Sequence, residues 1–158
     1  MKIKISAPTS DYDNYENAGR NGRIKHSKTS RYYSSENVLS LISRVLLSAI
    51  FLISGVNKIL HPVATQQYMA AHGMPLLGLF MVGAIAIELV GGLSVLLGYK
   101  VRWGAIALAL FLIPATLIFH NNFADQMQTI HFLKNLAILG GLLIVIQYGA
   151  GQISLERK

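Results

Sequence analysis

From about residue 38 onward, apolar residues do not alternate with polar ones but gather into four long runs: Val38–Leu60, Leu76–Leu97, Trp103–His120 and His131–Tyr148. Each run holds between about 18 and 23 residues. A helix rises 1.5 Å per residue, so about 20 residues cross a hydrocarbon layer of about 30 Å. The runs leave no continuous polar face that could clothe a soluble bundle. They also lack the period of two that a membrane β-barrel needs. The pattern therefore predicts an all-α, polytopic membrane four-helix bundle with short loops. Residues 1–37 are rich in Asn, Ser, Gly and Tyr and show no apolar period. They read as a disordered tail ahead of a membrane domain over 38–158.

Smaller features refine the runs. Pro62 and Pro75 bracket the loop after the first span. Val63, Tyr68, Met69 and Met74 within it suggest a short helix lying in the interface rather than an open loop. Pro114 falls inside the third span, where a membrane helix tolerates it as a kink. Gly98 and Gly149 follow two of the spans and suit helix stops.

Composition agrees. Of 158 residues, 53% are hydrophobic and 13% charged, and there is no cysteine. A soluble domain carries about 25% charge. The absence of cysteine excludes disulfides, thiolate nucleophiles and thiolate metal sites on this chain. The net charge of +7 does not sit on a compact polar domain, so nucleic acid is not the expected partner; the lipid bilayer is. The tail, Lys100, Arg102, Arg157 and Lys158 put the basic residues on one side of the spans. The loops Leu60–Pro75 and Asn121–Ile130 on the other side carry only Asp125. The positive-inside rule then places both termini in the cytoplasm of a bacterial inner membrane.

Chemistry must come from polar residues inside the spans. Glu88 is the acidic residue within them and sits near the middle of the second. An ionised carboxylate there costs several kcal/mol unless paired or hydrated. Counted from the helix ends, Arg44 and Glu88 differ by ~9 Å in depth, within reach of two extended side chains. Lys58 lies ~13 Å away on the same count and is the weaker partner. The expectation is an intramembrane Arg44–Glu88 pair that fixes helix register, with a proton-carrying or ligand-binding Glu88 as the alternative. Gly83, Ala84, Gly91 and Gly92 around it offer a small-residue surface for a neighbouring helix.

A second constellation lies at the outer ends of three spans. Asn57, Lys58, His120, Lys134 and Asn135 stand at similar depth, with His61, Asn121 and His131 nearby. Two ammonium groups in one half-buried pocket repel unless an anion or carbonyls lie between them. The expectation is an outward-facing pocket for an anionic or carbonyl-bearing ligand; the alternative is lysines that snorkel to the interface. No metal or haem site is expected, because no ligand-spaced histidine pair lies within a helix.

At these residues the chain resembles the DoxX family. The resemblance runs through FLISGVNKILHP (Phe51–Pro62), YMAAHGMP (Tyr68–Pro75), IELVGGLSVLLGYKVRWGAIAL (Ile87–Leu108) and HFLKNLAILGGLLI (His131–Ile144). It covers most of residues 41–155 and leaves the tail unmatched. It implies a small four-helix bacterial membrane protein. Relatives linked to a thiosulfate-using quinone oxidoreductase, or to oxidative-stress and sulfur-redox systems, suggest a membrane subunit or accessory of a redox system. A quinone is then the implied ligand, and a membrane or soluble oxidoreductase the implied partner. A small-solute or proton permease using Glu88, and a scaffold without ligand, stay open as alternatives.

Overall fold

The computed structural model describes residues 27–156, with side-chain surroundings from residue 37 onward. Five helices follow one another: α1 (Ser27–Leu60), α2 (Pro62–Ala71), α3 (Leu77–Leu97), α4 (Val101–Phe119) and α5 (Gln126–Tyr148). Four of them contain stretches long and apolar enough to cross a membrane: Asn37–Leu60, Leu77–Leu97, Val101–Phe119 and Gln126–Tyr148. There is no strand among the described residues.

Two boundaries differ from the sequence reading. The first helix begins at Ser27, before the expected start at Val38. No Gly or Pro interrupts the chain between Ser27 and Ser54, so the helical ladder continues into the polar segment. The rest of the expected tail, residues 1–26, lies outside the described residues. The last span begins at Gln126 rather than His131. Asp125 is its N-cap, accepting a hydrogen bond from the Met127 amide at 2.8 Å, which satisfies one of the orphan donors of the first turn. The short helix expected after the first span is present as α2, which starts on Pro62 and buries Met69.

Close contacts at glycine set the order of the bundle. A Cβ on Gly92 would lie 2.8 Å from the Leu52 side chain, and one on Gly55 2.9 Å from Leu89, so α1 and α3 touch nearly backbone to backbone. A Cβ on Gly91 would lie 2.7 Å from Leu108, and one on Gly104 2.6 Å from Ser94 Cβ, so α3 and α4 meet as closely. Without a hydrophobic drive between helices in lipid, such close packing is a main source of association. Leu47 faces Gly141, bringing α5 against α1. Asn135 donates to Thr116, bringing α5 against α4. The spans therefore form a ring in the order α1, α3, α4, α5. The small-residue surface on α3 is used on two sides, Gly92 toward α1 and Gly91 toward α4. Gly83 meets nothing within 4 Å and packs against no helix.

The core is lopsided. Val95, Val101, Ala105, Leu108, Leu142 and Val145 are buried, and all lie in the halves of their helices toward the chain termini. That end is also closed by polar contacts. Arg44, which is buried, donates to the Leu96 carbonyl at 3.4 Å and to the Ile153 carbonyl. It thereby holds the C-terminal segment across the end of α3, where a cation suits the helix dipole. The Leu155 and Glu156 amides donate to the Leu97 and Gly98 carbonyls. Ser40 donates to Ala150, and Arg102 reaches the Gln147 carbonyl near the end of α5. Tyr99, Trp103 and Tyr148 are exposed at this end, as interfacial aromatic anchors are. The opposite half of the bundle is hollow.

Candidate functional site: a polar-ended cavity around a buried ion pair

The hollow half holds a cavity of about 1310 Å³. Drug-sized pockets run from about 300 to 1,000 Å³, so the space admits a large ligand. All five helices contribute to its wall. The lining is mostly apolar, with Phe51, Met69, Phe80, Ile87, Phe111 and Ile138 among it. Its polar groups are few and stand toward the end away from the chain termini, called the outer end below.

Deepest of these is Glu88, which is 4% exposed. Its partner is Lys58, with Nζ at 2.8 and 2.9 Å from the two carboxylate oxygens. Ser54 completes the unit. Its hydroxyl donates to Glu88 Oε1 at 3.1 Å and accepts from Lys58 Nζ at 2.7 Å. An ammonium has three protons, and Lys58 finds three acceptors here. The charges cancel, and among the described residues Glu88 Oε2 accepts from Lys58 alone.

The expected Arg44–Glu88 pair is therefore corrected. Arg44 binds main-chain carbonyls at the other end of the bundle, and Lys58 takes its place. Counting depth from helix ends failed because α1 and α3 are offset. Gly55, near the outer end of α1, lies level with Glu88, since its Cβ would sit 3.4 Å from that of Glu88. Helical side chains lean toward the N-terminus of their helix. The two helices run in opposite directions, so Lys58 leans inward and Glu88 outward, and they meet.

The five residues expected to line an outer pocket, Asn57, Lys58, His120, Lys134 and Asn135, all line this cavity, with His61 and Thr65. The premise of two mutually repelling lysines does not hold, because Glu88 neutralises Lys58. Lys134 is different: among the described residues it has no carboxylate partner. Its ammonium donates to His131 Nδ1 at 3.1 Å. His131 in turn stacks on His120, centroid to centroid 5.2 Å. His120 Nδ1 donates to the Gln128 amide oxygen at 2.7 Å, so its Nε2 is the acceptor when the ring is neutral. Asn135 donates to the Thr116 hydroxyl at 3.0 Å, which donates to the Leu112 carbonyl at 2.7 Å. That chain fixes the asparagine rotamer. Asn121 and His131, grouped with the pocket in sequence, are not in its wall.

At this end α2 adds Ala64, Thr65, Tyr68 and Met69 to the wall. Tyr68 stacks on Phe119 at 5.3 Å, and His72 meets Phe119 edge-on at 5.1 Å. This ring cluster ties α2 to the end of α4.

Sequence reasoning missed three contributors: Ser54, Gln128 and the wall residues of α2. Ser54 was legible as the residue one helical turn before Lys58. Gln128 was not, because its role depends on where the α4–α5 connection brings it.

Comparison with known proteins fits this architecture. The DoxX family model matches residues 39–121, which run from the first span to just past the third. The chain belongs to the DoxX family. It is a multi-pass integral membrane protein. It is 38% identical over 122 residues to inner membrane protein YqjF of Escherichia coli K12, covering 77% of this chain and 92% of that one. It is 31% identical over 138 residues to inner membrane protein YphA of the same organism, covering 82% of this chain and 99% of that one. A shorter stretch of 79 residues is 32% identical to the ER-derived vesicles protein ERV29 of Saccharomyces cerevisiae, over 47% of this chain and 26% of that protein. No solved structure matches the chain.

Proposed function

We propose that this DoxX-family chain is a membrane subunit or accessory of a redox system, and that its outer cavity holds a quinone-type ligand. The observation that carries the reading is the cavity itself: a large apolar space with hydrogen-bonding groups at one end only. A quinone presents flat apolar surface and carbonyl acceptors. Lys134 supplies an ammonium donor without a carboxylate, while Asn57, His120 and Asn135 supply further polar contacts. An oxidoreductase, membrane-bound or soluble, is the partner that such a ligand would serve. The names of the two Escherichia coli relatives and the basic residues around the terminal end support placement in an inner membrane with both termini cytoplasmic.

The packing favours this reading over a permease. Val95, Leu108 and Leu142 are fully buried in the terminal half, so the cavity ends on a filled core. Glu88 is locked by three contacts rather than left to carry a proton. The test is a titration of purified protein with a decyl-chain quinone. Saturable binding that Lys134→Met and Asn135→Leu each weaken by ~10-fold supports the proposal. Proteoliposome solute or proton flux without saturable quinone binding would refute it in favour of the permease.

A further inference from the structure

The cavity has a second opening, toward the lipid. The helices α3 and α4 are joined by a short turn at Gly98–Lys100, where the Ser94 hydroxyl donates to the Tyr99 carbonyl at 2.7 Å. Just beyond it they are pressed together at Gly91 and Gly104. Toward their other ends the contact gives way. A Cβ on Gly83 would meet nothing within 4 Å, yet Gly83 lines the cavity, as do Phe80 and Ile87 from the same helix and Leu110 and Ile118 from α4. Phe80 is 45% exposed and Leu110 66%, so the wall here is also lipid-facing surface. The outer end of α4 is met by the ring of Tyr68 on α2 and by His72 just after it. Pro114 has no N–H to return to the Leu110 carbonyl, which loosens the helix at this level. At the polar end Asn57, His61 and Lys134 are exposed, while the wall formed by α3 and α4 is lined by apolar side chains.

We propose that the gap between the outer halves of α3 and α4 is a lateral portal. It admits an amphiphile from the bilayer, whose apolar chain lies in the gap past Gly83 while its head reaches the polar end. The ligand class is thus a chain-bearing membrane molecule rather than a water-soluble one. For the nature of the head this rests on the quinone reading; for the chain it rests on the gap alone.

Two measurements separate these. Trp103 is the single tryptophan, so Trp103→Phe with Phe111→Trp puts one fluorophore in the cavity wall. In vesicles of phosphatidylcholine with brominated acyl chains its emission is quenched. Gly83→Phe, whose ring has free space, reduces that quenching at least ~2-fold, and Gly78→Phe, on the same helix outside the cavity, does not. Absence of quenching, or equal effects of the two glycine variants, overturns the portal. In the second measurement, Gly83→Phe weakens binding of a decyl-chain quinone at least ~10-fold and of its tail-less analogue less than ~2-fold. Equal effects on both quinones overturn the portal. If neither quinone binds the parent protein while bromine quenching is present and Gly83-dependent, the portal stands and the quinone reading falls.

Discussion

Replacing Lys58 by Met removes the cation that neutralises Glu88 and leaves a carboxylate that is 4% exposed with Ser54 as its remaining donor. At 2.8 Å and an effective dielectric of about 20, the attraction between the charges is ~6 kcal/mol. Desolvation offsets much of this, and breaking a buried pair by removing one partner costs ~3–5 kcal/mol. The Lys58 side chain is 23% exposed, so its share of the penalty is partly relieved by water, and a loss of ~3 kcal/mol is expected. Glu88→Gln keeps a group that can bond Ser54, so its loss is expected at ~2 kcal/mol. The double variant should lose ~3 kcal/mol, leaving a coupling of ~2 kcal/mol. The assay is reversible unfolding in mixed micelles by SDS titration, with helicity as the readout, on all four proteins. Losses that add to within ~0.5 kcal/mol would refute the pairing. The parallel cycle of Arg44→Ala with Glu88→Ala is expected to be additive, since Arg44 serves the other end of the bundle.

Arg44→Lys leaves a single ammonium where a fork now reaches two carbonyls. Hydrogen exchange at Leu155 and Glu156 should accelerate, and stability should fall by ~1–3 kcal/mol; unchanged protection would free the C-terminal segment from Arg44. Gly91→Val forces α3 away from Leu108 and should cost ~1–3 kcal/mol in the same SDS assay, whereas Gly140→Val, with open space around it, should cost under ~1 kcal/mol. Asp125→Ala removes the cap of α5 and should cost ~1 kcal/mol, detectable as faster exchange in the first turn of that helix. Reporter fusions after Gly73, Lys100, Gln126 and Lys158 should alternate, with Lys100 and Lys158 inside; a periplasmic C-terminus would overturn the orientation.

The spans could be read from the chain because an uninterrupted apolar run has one stable reading in lipid, a helix. The outer pocket was legible for a related reason. Polar residues confined to one end of apolar helices must share a level, and Asn57, Lys58, His120, Lys134 and Asn135 do line one cavity. Pairing was harder, because it depends on how far one helix slides along another. Gly55 sits level with Glu88 only because α3 extends beyond α1, and no local signal encodes that offset. The lean of side chains along their helices then decides the partner, which favours Lys58 over Arg44. The extent of the cavity was hidden for another reason. Phe80, Ile87 and Leu110 have the composition of ordinary lipid-facing positions. What makes them a wall is that the cavity reaches between the helices that carry them, where Gly83 leaves open space. The task of Arg44 depended on a polar C-terminal segment that carries no periodic pattern and gains its place only from the contacts it makes.

The most direct test of the account is whether the outer cavity holds a carbonyl-bearing membrane ligand through its polar end. Titration of the purified protein in lipid nanodiscs with a decyl-chain quinone, followed by calorimetry, measures this. One saturable site per chain is expected, weakened ~10-fold by Lys134→Met and by Asn135→Leu, with unfolding unchanged in Lys134→Met, at an exposed position. Linear, non-saturable uptake, or saturable binding that both substitutions leave intact, would contradict it.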